Sequence, residues 1–143
     1  MTPEENAAVD GYFALAEWAK PLFWDAYSAI MEAAGPGGSM TVQKSQIAFR
    51  IGPSEGCRPL QFAFVWLPPP RRINGRPGRC LGLTFGLGRR EGNPRIAVVS
   101  EPYPGRFTHH LLLESPQELD ETVRDWLKEA ADFARSKQQT RRR

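Results

Sequence analysis

Apolar residues recur at two different spacings along the chain, and these spacings predict its helices and strands. From residue 7 to residue 34 they recur every three or four positions, which is the spacing of one helix face. Pro21 breaks this pattern or begins a second helix in its first turn, and the glycine-rich segment 35–38 ends the pattern. Two amphipathic helices are therefore predicted, the first over about 7–19 and the second up to Ala34.

From Thr41 onwards the spacing changes to two, as in strands with one apolar face. The first predicted strand covers 42–51, where Ile47, Phe49 and Ile51 share a face. The later strands are predicted from the same alternation at 60–66, 80–87, 96–99 and 107–114. Because no helical pattern separates these segments, the sheet should be mostly antiparallel.

Two of these strands have distinctive faces. The bulky residues of the second strand alternate and are predicted to share its apolar face: Leu60, Phe62, Phe64 and Trp66. In the third strand, large apolar residues are predicted to form one face and small residues the other. The small face includes Gly82 and Gly86. Glycines within a strand often mark a place where another group approaches the backbone closely, and we expect a helix rather than a ligand there.

The C-terminal part is predicted to contain a long helix. Ser115, Pro116 and Glu118 have the order of a helix start, with an N-cap serine, a proline at the first helical position and a glutamate at the third. Apolar residues then recur at helical spacing: Leu119, Val123, Trp126, Leu127, Ala130, Phe133 and Ala134. This stripe must pack on another element, and the sheet is the nearest one. Residues 136–143 are predicted to form a disordered basic tail.

The predicted fold class is therefore α+β: two N-terminal helices, a mostly antiparallel sheet of about five strands, and a long C-terminal helix packed on the sheet. A length of 143 residues fits a single domain, which we place at 7–135. The apolar runs are too short for a membrane helix, and the acidic N-terminus lacks the order of a signal peptide. We therefore expect a cytoplasmic protein without membrane attachment, in which Cys57 and Cys80 are reduced thiols.

Charge is distributed unevenly, although the formal net charge is only +3. Residues 1–40 carry six acidic residues against one lysine, whereas residues 41–110 carry eleven basic residues against three acidic ones. A basic tip between two predicted strands surrounds an Asn-Gly turn signal with four arginines: Arg71, Arg72, Arg76 and Arg79. Such a tip could contact phosphates. It lacks aromatic residues that would stack on bases, so a solvated loop is favoured over nucleic-acid binding.

Three residues of the predicted strands are candidate ligand-binding residues: Lys44, Arg50 and His110. Lys44 and Arg50 share the more polar face of their strand, where Lys44 either holds an anion in a cleft or is exposed on an open sheet face. His109 and His110 are adjacent in a strand, so they point to opposite faces and cannot chelate one metal together. His109 is predicted to be a hydrogen-bonded core residue, whereas His110 faces more polar surroundings.

Several segments together resemble a known family. They are QKSQIAF at 43–49, FAFVWL at 62–67, GRFTHH at 105–110, SPQELD at 115–120 and WLKEA at 126–130. Their order and spacing resemble bacterial proteins grouped as domain of unknown function 5655, over roughly residues 10–135. The resemblance implies a small α+β domain, distantly similar to the YdhG-like group in which an iron-chaperone role has been proposed. It implies no established activity and no catalytic residues.

The sequence thus predicts a non-catalytic cytoplasmic binding or interaction module, monomeric or homodimeric, whose ligand is an unknown small molecule or protein. A first alternative is weak nucleic-acid or phosphate binding through the basic middle segment. A second alternative is a small enzyme or metal chaperone with a polar site on a sheet face. No segment has the motif of a known reaction type, so no catalytic residue, metal ligand or cofactor is predicted.

Overall fold

Three α-helices and six strands make up the part of the chain described by the structure, a computed structural model that covers residues 2–54, 57–68 and 79–141. The α-helices are α1 (Pro3–Tyr12), α2 (Lys20–Ala34) and α3 (Glu121–Arg141). The strands are β1 (Ser39–Val42), β2 (Ile47–Arg50), β3 (Gln61–Trp66), β4 (Leu81–Leu87), β5 (Ile96–Tyr103) and β6 (Arg106–Leu113). Two short 3₁₀-helices lie at Glu17–Ala19 and Pro116–Glu118. The predicted α+β class is confirmed, with six strands instead of about five.

The additional strand arises because the first predicted strand is two strands. The prediction of one strand over 42–51 is wrong, since β1 and β2 pair as an antiparallel hairpin with Val42 opposite Ile47. The backbone N–H of Gln43 donates to the carbonyl of Gln46 at 2.8 Å and closes the turn. The turn residues are all polar, so reversing the chain there leaves them in water while the flanking apolar residues stay paired.

All six strands form one antiparallel sheet in the order β1-β2-β3-β4-β6-β5. Every residue of β4 is buried, because β4 lies between β3 and β6 near the middle of the sheet. Helices α2 and α3 pack on each other, and α3 also packs on β3 and β4, which confirms the predicted C-terminal packing. None of the helices in the described ranges has the length and apolar character that crossing a membrane requires.

Only one face of the sheet belongs to the hydrophobic core. We call this the inner face, and its core residues include Leu83 and Leu111. The opposite, outer face carries a row of residues that lie side by side on neighbouring strands: Ala48, Phe64, Thr84 and His110. The three helices contribute their buried residues to the same core as the inner face, so the outer face is a separate surface.

Strand β3 shows the predicted alternation of small and bulky residues. Ala63 and Val65 lie in the core, where Ala63 is opposite Phe85. Phe64 and Trp66 are half-buried on the outer face. Phe62, which alternates with them, is nevertheless buried in the core, so the bulky residues of this strand do not share one environment. Alternation defines two faces of a strand, but the register with the neighbouring strands decides which face meets the helices.

The first N-terminal helix differs from its predicted limits, whereas the second ends where predicted. Helix α1 begins earlier because Thr2 and Glu5 form a capping box: Oγ1 of Thr2 accepts the N–H of Glu5 at 3.1 Å, and the Glu5 carboxylate accepts the N–H of Thr2 at 2.9 Å. It ends at Tyr12 and not at about residue 19. Helix α2 contains Pro21 in its first turn, which was one of the two predicted alternatives, and it ends at Ala34 as predicted, where Gly35 with a φ of +72° is the C-cap.

The C-terminal helix begins later than predicted. Residues Pro116–Glu118 form a separate 3₁₀-helix, so a continuous helix starting after Ser115 is wrong. Helix α3 begins at Glu121. Just before it, Oδ1 of Asp120 accepts the backbone N–H of Val123 at 3.2 Å, as an N-cap residue does. The predicted helix start at Ser115, Pro116 and Glu118 therefore belongs to a short 3₁₀-helix that precedes α3.

At its other end, α3 continues through Arg141, past the point where the tail is predicted to begin. Gln138 explains part of this extension, because its side chain is only 3% exposed. Its Nε2 donates to the carbonyls of Gly52 and Arg58, at 2.9 and 3.2 Å. These two bonds attach the last turns of the helix to the loop that precedes β3.

Candidate functional site

The structure separates the predicted ligand-binding residues. Lys44 is exposed in the turn between β1 and β2, so its predicted mid-strand position is wrong. Arg50 ends β2 on the outer face, and its Nη1 donates to Oγ1 of Thr41 at 2.8 Å. His110 lies on β6, which β3 and β4 separate from β2. Because neighbouring strands lie about 4.8 Å apart, His110 is roughly 14 Å across the sheet from β2. The three residues therefore do not line one site.

The predicted basic tip is only partly described. Arg71, Arg72 and Arg76 lie outside the described residues. Arg79 comes just before β4, and its guanidinium carbon lies 5.9 Å from the centre of the Trp18 ring, a cation–π contact. Phosphate binding by this tip stays a prediction.

His109 is a hydrogen-bonded residue of the core, as predicted. Its Nδ1 donates to the carbonyl of Phe107 at 3.0 Å, its Nε2 accepts the N–H of Glu91 at 2.9 Å, and its ring stacks on Phe85 at a centroid distance of 5.5 Å. Burial lowers the pKa of His109, since a charged imidazole would lose hydration. Protonation would also place a hydrogen on Nε2, so that two N–H donors, one from His109 and one from the backbone of Glu91, would face each other. Both ring nitrogens are occupied, so His109 is not free to bind a metal or transfer a proton.

His110 belongs to a short hydrogen-bonded chain on the outer face. Nε1 of Trp66 donates to Oγ1 of Thr84 at 2.9 Å, and this oxygen lies 2.8 Å from Nδ1 of His110. The indole N–H can only donate, so Oγ1 of Thr84 accepts from it, and the same hydroxyl forms a second hydrogen bond with Nδ1 of His110. Burial lowers the pKa of His110, because a charged imidazole would lose hydration.

Side chains from neighbouring strands cover the small residues of β4. A Cβ atom at Gly82 would lie 2.3 Å from Cε2 of Trp66, and one at Gly86 would lie 2.9 Å from Nη2 of Arg106. The expected helix on this face is therefore wrong. The expectation of a close approach to the backbone is confirmed, because the indole and the guanidinium lie where a larger residue would have its side chain.

Arg106 also lines a cavity of about 200 Å³ at one end of the sheet. Among the described residues, its lining consists of Leu60, Gln61, Tyr103, Arg106, Ala134 and Lys137. Its polar side chains are therefore two cations, a phenol and an amide. Within the described part of the chain, neither Arg106 nor Lys137 forms an ion pair. The cavity consequently carries uncompensated positive charge.

A larger cavity, of about 420 Å³, lies between α2 and α3 and is a weaker candidate. Its lining mixes acidic and basic residues, including Glu32 and Arg124, which form an ion pair at 3.2 Å. Arg135 donates to the carbonyl of Ala34 at 2.8 Å and so caps the C-terminal end of α2. These charges already stabilise the contact between the two helices.

Sequence reasoning missed the side chains that meet in the 200 Å³ cavity. Arg106 carries a usable signal, because it directly follows the Pro104-Gly105 turn and shares the alternation of His110, which places both on the outer face. Lys137 follows Phe133 by four positions and continues the apolar stripe of α3, but the predicted tail already included it. No local signal in the sequence brings these two cations together.

Sequence comparison identifies the family. The family model described as domain of unknown function 5655 matches residues 14–134. The chain belongs to this family. No curated protein and no solved structure matches the chain. The segment matched to domain of unknown function 5655 contains the whole sheet and Arg106, and it ends three residues before Lys137.

The family description names no activity, so the function must be argued from the geometry of the site. In residues 2–54, 57–68 and 79–141, no group of three or more His, Cys, Asp or Glu side chains is placed to hold a metal ion. The 200 Å³ cavity and the outer face remain as the features to explain.

Proposed function

We propose that this domain is a non-catalytic binding module for a ligand that carries a phosphate or carboxylate group. The anionic group binds in the 200 Å³ cavity between Arg106 and Lys137. The observation that supports this proposal is the composition of the cavity: in the part of the chain that the structure describes, its polar lining consists of two cations and two neutral hydrogen-bonding side chains and includes no carboxylate.

The side chains of the cavity have complementary roles towards an anion. The planar guanidinium of Arg106 can donate two parallel hydrogen bonds to a pair of oxygens, whereas the ammonium of Lys137 supplies a compact charge. Gln61 and Tyr103 each offer a further donor. The remaining walls are apolar, and their low polarisability strengthens the attraction between the cations and a bound anion.

Arg106 is held in position before any ligand arrives. Its guanidinium lies against the backbone of Gly86, in the space that a side chain would otherwise fill. Lys137 is also placed by packing, because its Nζ lies 5.2 Å from the centre of the Phe133 ring. Groups that are ordered in the free protein lose less conformational entropy on binding, which favours affinity.

The placement of the histidines supports binding and not catalysis. His109 uses both ring nitrogens within the core. His110 is four residues along β6 from Arg106, which corresponds to roughly 13 Å in an extended strand. A general base must lie within hydrogen-bonding reach of the proton that it removes, and neither imidazole has this relation to a group bound at Arg106.

The proposal can be tested by titrating the isotope-labelled protein with inorganic phosphate and following backbone and side-chain signals by NMR. We expect the signals of Arg106 and Lys137 to shift. Lys137→Gln should weaken phosphate binding about tenfold, because losing one charge-assisted hydrogen bond costs at least about 1.4 kcal/mol.

Lys128→Gln is the matched control, since Lys128 is on the same helix, is 70% exposed and lines the other cavity. It should leave phosphate binding unchanged. The proposal is rejected if phosphate moves no signal at the cavity, or if the two lysine substitutions weaken binding equally.

A further inference from the structure

The cavity that holds the proposed anion site adjoins a second depression. This depression lies on the outer face, has a volume of about 50 Å³, and shares Arg106 and Gln61 with the first cavity. Its other borders include Phe64, Thr84 and Gly86. Arg106 therefore stands between a charged cavity on one side and a partly apolar depression on the other.

Phe64 presents an accessible aromatic ring to this depression. Its direct neighbours across the sheet are Ala48 and Thr84, whose side chains are much shorter. In the described part of the chain, no other aromatic ring packs against Phe64, although it is only half-buried. The ring of Trp66, two residues further along β3, instead packs against Gly82, and its Nε1 donates a hydrogen bond to Thr84.

We infer that the ligand carries a flat aromatic ring next to its anionic group. The ring lies in the depression between Phe64 and Arg106, and the anionic group lies in the neighbouring cavity. This inference rests on the proposed function and narrows it to one ligand class, namely aryl phosphates and other small molecules in which a phosphate is attached close to an aromatic ring.

The dimensions and chemistry of the depression agree with a ring that is inserted partway. A cavity that encloses benzene completely measures about 150 Å³, so a space of about 50 Å³ holds only part of a ring and leaves the remainder in solvent. The ring of Phe64 offers one stacking surface. The guanidinium of Arg106 offers a second, because arginine stacks on aromatic faces while its N–H groups still donate to oxygens.

Phenyl phosphate and methyl phosphate are the probes that test this inference, since they carry the same charged group and differ in the ring. We expect the wild-type protein to bind phenyl phosphate about fivefold more tightly than methyl phosphate, which is the effect of about one stacking contact. Phe64→Leu should remove most of this difference and leave the affinity for methyl phosphate unchanged.

Val98→Ala is the matched control on the outer face, because Val98 lies on β5, is 55% exposed and does not line the depression. It should preserve the preference for phenyl phosphate. Equal affinity of the wild-type protein for both esters, with signals of Lys137 shifting, would overturn this inference and leave the anion site intact. A preference that survives Phe64→Leu would also overturn it. Failure of both esters to bind would reject the anion site as well.

Discussion

Trp126 should be among the largest single contributors to stability. The side chain is 5% exposed, and its ring stacks on Phe85 at a centroid distance of 5.9 Å. Phe85 stacks in turn on His109, so Trp126 closes a series of three rings between α3 and the sheet. Its Nε1 also donates to a carboxylate oxygen of Glu91 at 3.2 Å.

Trp126→Ala removes the ring that α3 contributes to this series and leaves a cavity. Truncating a buried tryptophan or phenylalanine costs about 3–5 kcal/mol. The lost bond to Glu91 adds little, because that carboxylate keeps Arg89 Nη1 at 2.9 Å and the N–H of Asn93 at 3.0 Å. With a urea dependence of about 2 kcal/mol per molar, the unfolding midpoint should fall by about 1.5–2.5 M.

Urea unfolding followed by circular dichroism at a helix wavelength measures this shift without relying on tryptophan fluorescence. Lys128→Ala serves as the control, because this residue of the same helix is 70% exposed and a surface substitution should change stability by less than about 0.5 kcal/mol. A Trp126→Ala midpoint within about 0.3 M of the wild type, with an unchanged slope, would refute the packing of α3 on the sheet.

Two further predictions concern the histidines and the small face of β4. Burial lowers the pKa of both His109 and His110, so below about pH 6.5 the unfolded chain takes up protons that the folded chain does not. The urea midpoint should therefore be steady above neutral pH and fall between about pH 6.5 and 5, and a flat profile would contradict the neutral histidines. Gly82→Ala should cost about 1–3 kcal/mol, because its Cβ would lie 2.3 Å from the Trp66 ring. Gly92→Ala meets nothing within 4 Å and should be neutral or slightly stabilising, so equal melting temperatures for the two variants would argue against the position of the indole.

Local sequence patterns predicted some features around the candidate site correctly and could not predict others. The alternation around His109 and His110 correctly assigned one imidazole to the core and the other to the opposite face. The glycines of β4 correctly indicated a close approach to the backbone, but the approaching groups are Trp66 and Arg106, which come from the two neighbouring strands. Identifying them requires the register of three strands, and alternation in a single strand contains no information about register.

The sequence by itself determined the α+β class, the period of each element, and the apolar stripe of α3, in which Val123 and Leu127 are fully buried. These properties follow from the spacing of apolar residues, since each helix or strand must bury one face. Only the tertiary structure decided that Phe64 belongs to the outer face and that Arg106 and Lys137 line one cavity. Such contacts join residues far apart in the chain, so they depend on strand order, register and helix packing, which no local pattern specifies.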